Sequence, residues 1–390
     1  MVSLLYFLAV LAVLVISHEF GHFIFAKKNG IGVHEFGFGF PPRFLGVQFK
    51  KGNTKKWRLV WGNRELDDSD KDYGTVYSLN WLPLGGFVKI KGENGEEAQD
   101  KDSFAAKKFW QKSLVLCAGV MMNVLLAFVL LTIGYIVGLP QNLDNITDVS
   151  HVTDRRIEIL QALPGKPAEA AGIMAGDVVV QVGDLQNPRL KEMQDYVDLH
   201  KTEQLLVRVK RADQIIEKKI QPAIYADTGK GGLGIAIAEI GTVKYSFFPA
   251  LWEGVKATAW YLKEIIVSFG ILLAGLFSGH GAGEAVSGPV GVAVMTGRVA
   301  KLGWIYLIQF AAMLSLNLAI FNILPIPALD GGRELFLVIA KLRGKAVSQK
   351  VEQIFHTVGF ALLMLLVVYV TVRDLSNFKE VILNFIKRLI

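Results

Sequence analysis

The strongest chemical signal in this sequence is five consecutive residues, His18-Glu19-Phe20-Gly21-His22. On a helix, positions four apart share one face, so His18 and His22 can offer two imidazole nitrogens to a single zinc ion. Glu19, beside the first histidine, can then act as general base on a water activated by the metal. As a bare pattern this spacing also arises by chance in soluble chains. Here it interrupts an apolar run that begins near Leu4 and resumes at Phe23–Ala26. An ionisable side chain in hydrocarbon costs on the order of several kcal/mol and marks function by default. Three of them in five positions are hard to explain as packing. The competing readings are a proton relay and a pair of interfacial polar residues.

A catalytic zinc site ordinarily combines three protein ligands with one open position. The best candidate for the third ligand is Asp330, in Asn322-Ile323-Leu324-Pro325-Ile326-Pro327-Ala328-Leu329-Asp330-Gly331-Gly332. Two prolines one residue apart must break a helix, which leaves Asp330 on a short irregular segment. Taken alone, a carboxylate after a helix end is more often a cap. Paired with the two histidines, it reads as a ligand.

These residues need elements that place them at membrane depth. The chain has 390 residues, of which 52% are hydrophobic and 20% charged. That is a membrane composition with room for a soluble part. Four segments are long and apolar enough to span a bilayer, which takes about 20 residues. They are Leu4–Ala26, Leu114–Leu139, about 305–324 and His356–Val372. The first has no positive leader and no cleavage site, so it is expected to be retained as a span. A fifth apolar stretch, Ala257–Phe277, carries Lys256, Lys263 and Glu264 at or near its ends and interior. It is read as an amphipathic helix on the membrane surface, with a further span as the competing reading.

The net charge of +7 does not indicate nucleic acid, because the Lys and Arg residues cluster beside apolar runs. Lys27 and Lys28 follow the first span; Lys107, Lys108 and Lys112 precede the second. Lys341, Arg343, Lys345 and Lys350 lie between the last two. In a four-span arrangement all three clusters fall on one side, which should be cytoplasmic. The region from about 140 to 300 and both termini then lie outside the cytoplasm. The single cysteine, Cys117, reads as a packing residue in an apolar run.

Phe36–Phe40 and Leu82–Ile90 alternate like strands flanked by turns, and suggest hairpins that dip into the membrane part. The charged segment Asn63–Asp72 between them should be solvated. Residues 150–222 read as a soluble block with strands at Val178–Val180 and Leu205–Val209 and a short helix at Met193–Leu199. The expected organisation is therefore 1–140, an N-terminal membrane part; 150–222, a soluble domain; 223–300, a strand and surface helix; and 301–390, a C-terminal membrane part carrying Asp330.

His18–His22 in a first span, together with Asn322 to Gly331 in a late one, resembles the site-2 protease family of intramembrane zinc metalloproteases. Pro164–Asp177 resembles the start of a PDZ domain. The order of span, hairpin, span, PDZ-like domain, span and span is similar to the bacterial RseP type. Ser287-Gly288-Pro289-Val290-Gly291 also matches a stretch that this type carries before its third span. The fold class implied is a polytopic α-helical membrane protein of about four transmembrane helices, with membrane-associated β-hairpins and an inserted α+β PDZ-like domain. The resemblance implies one Zn2+ per chain held by His18, His22 and Asp330, with Glu19 as base. Asn322 resembles a position that contacts the substrate backbone. Asn317 is a candidate for a similar role, with a helix–helix hydrogen bond as the competing one.

The implied activity is hydrolysis of peptide bonds within transmembrane segments, in a bacterial inner membrane. The site would lie near the cytoplasmic face, and the PDZ-like domain would bind or filter extracytoplasmic substrate tails. Two departures stand out: one PDZ-like domain where some relatives carry two, and Arg333 after Gly332 where a His is common. The alternatives are an inactive PDZ scaffold and an ion or proton carrier.

Overall fold

The computed structural model describes residues 2–62, 72–95, 97–143, 150–211, 214–226, 229–278, 287–345 and 347–377. The expectation for Asn63–Asp72 falls almost wholly outside these residues. The chain divides into two compact units.

The first unit comprises Met1–Leu131, Val255–Lys301 and Leu307–Ile390. It opens with helix α1, Val2–Lys28. The helix ends where Gly30 takes a φ of +61°, a conformation that costs glycine nothing, and the amides of Asn29, Gly30 and Ile31 close on Phe25, Lys27 and Ala26. Three strands follow: β1, Val33–Lys50; β2, Asn53–Val60; and β3, Tyr73–Ile90. The second helix, α2, is Phe109–Val137.

The β1–β3 sheet is folded back on itself. Glu35 of β1 lies opposite both Val76 and Lys89 of β3, while Gln48 also faces Val76. Laterally the order is therefore β2, the second half of β1, the first half of β3, the first half of β1, and the second half of β3. The expected pairing of the two Gly- and Phe-rich runs is present: Phe36 opposes Val88, Phe38 opposes Gly86 and Phe40 opposes Leu82.

The polarity of this sheet is inverted relative to a water-soluble one. Partners across an antiparallel ladder share a face. Phe49, Trp57, Leu59, Tyr77 and Leu79 share one face and are exposed. The opposite face turns Gln48, Val76 and Ser78 inward. Gln48 is satisfied there, donating to the Gly74 carbonyl at 2.7 Å and accepting from Arg58. Burying polar groups and exposing large apolar ones is stable only where the surroundings are apolar.

The second unit, Thr132–Gly254 with Leu302–Tyr306, is built on a seven-stranded sheet. Its elements are β4 (Leu139–Asn142), β5 (Val152–Ala162), α3 (Pro167–Ala170), β6 (Val178–Val182), β7 (Leu185–Gln186), α4 (Leu190–Leu199), β8 (Leu205–Arg211), β9 (Gln214–Ile220), β10 (Ala223–Ile224), β11 (Gly231–Gly232) and β12 (Ile235–Val243). The sheet runs β4-β12-β5-β6-β8-β9, with β7 on β6. Ile157, Val179, Val207 and Val209 meet Met193 and Val197 of α4 in the core. Asp177 is fully buried, and accepts Arg211 Nε at 2.6 Å and the Met174 amide at 2.9 Å. The unit is wider than residues 150–222, because β12 pairs with both β4 and β5.

The remaining helices are α5 (Phe247–Phe277), α6 (Pro289–Leu302), α7 (Trp304–Ile323), α8 (Asp330–Arg343) and α9 (Gln349–Asn377). Among the described residues five helices, α1, α2, α5, α7 and α9, are long and apolar enough to cross a membrane. The stretch expected to lie on the surface thus belongs to a longer helix that also meets the length and apolarity of a span. It packs beside α7 and runs parallel to it: Tyr261 meets Gln309 at 3.3 Å and Phe269 meets Phe321 at 5.7 Å between ring centroids. Gly288 and Gly291, at the start of α6, donate their amides to the buried Asp374 of α9 at 2.9 and 2.7 Å.

Candidate metal centre

Helix α1 does what the spacing predicts. His18 and His22 lie on one face and meet edge to face, with ring centroids 4.8 Å apart and Nε2 atoms 3.1 Å apart. The break after α7 brings the chain back, and Asp330 opens α8 with its Oδ2 3.0 Å from His18 Nε2 and 3.3 Å from His22 Nε2. Among the described residues, these three side chains form the group of His, Cys, Asp and Glu able to hold a metal ion, with ligand atoms all within 4.8 Å.

The donor set fits zinc. Four ligands at about 2.0–2.1 Å in a tetrahedron lie about 3.3 Å from one another, close to the spacings seen. Asp330 Oδ2 is buried and no hydrogen-bond donor is aimed at it. An orphaned buried carboxylate oxygen between two imidazole nitrogens is what a cation would complete.

The second ring nitrogens are held from α2. His22 Nδ1 lies 2.8 Å from the Val115 carbonyl, so it donates there and leaves its Nε2 lone pair toward Asp330. Asn123 Nδ2 lies 3.4 Å from His18 Nδ1, and its Oδ1 is buried without a partner; the flipped amide would turn that oxygen to the ring to accept the N–H. Ser315 of α7 donates to the Asn123 carbonyl at 2.7 Å and fixes that turn of α2.

Such support requires α1 and α2 to touch closely, and glycine makes this possible. A Cβ on Gly21 would overlap the Ala118 carbonyl, and one on Gly119 would overlap both histidine rings. Gly21, Gly119 and Asn123 were not singled out from the sequence. A glycine and an asparagine within an apolar run were the available signals.

A cleft of about 310 Å³ opens beside this group, lined by His18 and Asp330. Glu19 lines it beside His18, and Asn322 faces it with Nδ2 3.5 Å from His18 Nε2. Phe40 and Gly86 bring the β1–β3 sheet to its wall. Among the described residues no strand pairs with the outer side of the second half of β3, which forms the sheet's edge there. Asn317 is not brought to the cleft: its Nδ2 donates to the Met313 carbonyl of its own helix at 2.9 Å. Arg333 forms an ion pair with Glu93, just past β3.

Comparison with known proteins gives a consistent result. The profile of peptidase family M50 matches residues 6–62 and 65–366. The zinc metalloprotease RasP of Geobacillus kaustophilus is 29% identical, over 96% of this chain and 98% of its own length. The regulator of sigma-W protease RasP of Bacillus subtilis is 28% identical, over 95% and 97%. Among solved structures, the PDZ domain of an SdrC-like protein from Listeria monocytogenes aligns at 22% identity, covering 22% of this chain and 90% of that domain with a TM-score of 0.20.

Proposed function

The chain belongs to peptidase family M50 and is an intramembrane zinc metalloprotease, and from that premise we propose that His18, His22 and Asp330 hold its zinc ion while Glu19 is the general base. The observation that carries this assignment is the convergence of two Nε2 atoms and Asp330 Oδ2 within 4.8 Å, at a cleft that Glu19 lines.

Zinc held there supplies a Lewis acid and lowers the pKa of water toward about 7. Glu19 stands next to His18 on the cleft wall, so its carboxylate receives the proton of the attacking water and returns it to the leaving amine. Asn322 orients the substrate backbone in the same cleft. A helix keeps its carbonyls within its own hydrogen bonds, so the substrate span must unwind before it can be cut. The edge half of β3 offers unpaired backbone groups to the unwound segment, which adds to it as a further strand. Gly86 on this edge lies close against Glu19, which brings the added strand to the base.

The basic clusters support a metal centre toward the cytoplasmic face of a bacterial inner membrane, with the second unit outside the cytoplasm. The chain leaves that unit at Gly254 and is back in it at Leu302–Tyr306, where Tyr306 contacts Arg156 at 2.7 Å. We favour four full crossings, α1, α2, α7 and α9, with α5 running beside α7 from the extracytoplasmic side. Residues 150–222 act as a PDZ-like domain that binds or filters substrate tails. The B. subtilis relative is named for regulating sigma-W, which makes membrane-bound anti-sigma factors the first substrates to test, with signal-peptide remnants next.

The test is Glu19→Gln. It should leave the fold and the zinc intact and lower cleavage of a single-span substrate by about 100-fold or more. A zinc-loaded Glu19→Gln protein that still cleaves at the native rate would sink the mechanism.

A further inference from the structure

The segment that carries Asp330 is an irregular turn, closed by backbone bonds from Ile326 to Leu324 at 2.7 Å and from Leu329 to Ile326 at 3.3 Å. Between the end of α7 at Ile323 and the start of α8, two prolines remove backbone donors, and Ala328 sits at a φ of +67°. That is the left-handed region, which a side chain disfavours. The Ala328 amide is not used by the turn's own bonds, and a contact from outside the turn takes it.

The hold comes from α9. His356 Nδ1 accepts the Ala328 amide at 3.0 Å. The same ring lies against Gly332, where a Cβ would come within 3.3 Å of its Cε1. His356 thus touches the chain two residues before and two residues after Asp330. Three positions along α9, on the same face, Gly359 is buried, and any Cβ there would overlap the Pro327 ring. Pro327 therefore packs directly on the α9 backbone.

We infer that His356 and Gly359 are positioning residues for the metal centre: together they hold the Pro327–Ala328 turn in the conformation that carries Asp330 to His18 and His22. Neither reaches the substrate cleft. Helix α9, the last span, is thereby part of the metal centre's scaffold as well as an anchor. The inference rests on Asp330 being a zinc ligand.

The experiment compares full-length His356→Asn, His356→Gln and His356→Leu. Asn puts an acceptor where Nδ1 was, Gln puts it near the place of Nε2, and Leu removes it. Amide exchange at Ala328 is measured on the metal-free proteins, zinc affinity by chelator competition, and kcat and KM on a single-span substrate. Leu and Gln should speed exchange at Ala328, weaken zinc binding by about 10- to 100-fold, and lower kcat with KM little changed. Asn should restore most of both. If Leu fails to fold, the contrast between Asn and Gln decides the question.

Unchanged exchange and zinc affinity in Gln or Leu would overturn the proposal, as would Asn behaving no better than Gln. Gly359→Ala should likewise weaken zinc binding, and native affinity in that variant would remove Gly359 from it. Asp330→Asn separates the two levels. If that variant keeps its zinc, the ligand assignment fails; if it loses zinc while His356→Gln does not, only the present inference fails.

Discussion

At the residue scale, the site is a set of atoms whose lone pairs have been aimed. The convergence of His18, His22 and Asp330 beside Glu19 could be anticipated from the sequence, because residue type and a spacing that a helix converts into one face carry the proposed chemistry. Asn123 could not be anticipated. Its role depends on which helix lies against His18, and that is a matter of packing rather than of local pattern. Asn123→Ala removes the group that steadies the His18 ring and should weaken zinc binding by about 10- to 100-fold while the chain remains folded. Chelator competition on the purified protein reads this directly. Asn317 illustrates the opposite outcome. An asparagine in a span suggested a place at the substrate, but its side chain turns back onto the Met313 carbonyl, the local alternative open to any amide on a helix.

At the scale of elements, the apolar runs forecast α1 and α7 closely, while α2 opens five residues earlier and α9 extends seven residues before and five beyond its run; a stretch that must satisfy its own backbone in hydrocarbon has few other options. Alternation likewise identified the Gly- and Phe-rich strands. It could not show that β1 and β3 each serve twice in one sheet, because alternation specifies a strand and not its partner. Nor could it show that the exposed face would be the apolar one. The tight crossing of α1 and α2 was also hidden, since a glycine in a span has many uses. Gly119→Ala tests it. The added methyl meets both histidine rings, so the helices must separate. Overpacking of this kind typically costs about 1–3 kcal/mol. The expected result is a lower unfolding temperature together with weaker zinc binding; a variant with both unchanged would mean that the crossing is looser than described.

At the scale of the whole molecule, the chain combines a membrane unit carrying the chemistry with a sheet-based unit whose core is of ordinary soluble type, Ile157, Val179 and Val207 against α4. The composition allowed for both parts, and the basic clusters suggested their sides. The full extent of the second unit was not legible, because β4 and β12 flank the helices and join β5 only through long-range pairing. If that unit filters substrates, a span carrying a folded extracytoplasmic domain should be cleaved more slowly than the same span with a short tail. Replacing residues 150–222 with a flexible linker should narrow the difference, and time courses of the two substrates measure it. An unchanged ratio would show that the unit serves another purpose.

The folded-back sheet has one more consequence. A guest chain lying along the outer edge of β3 cannot shift by a single residue without turning every side chain to the opposite side and presenting the wrong backbone groups. A shift of two keeps both. Fragments from one substrate should therefore differ in length by even steps, with the neighbouring odd cuts scarce, a rhythm that mass spectrometry of the released peptides would reveal.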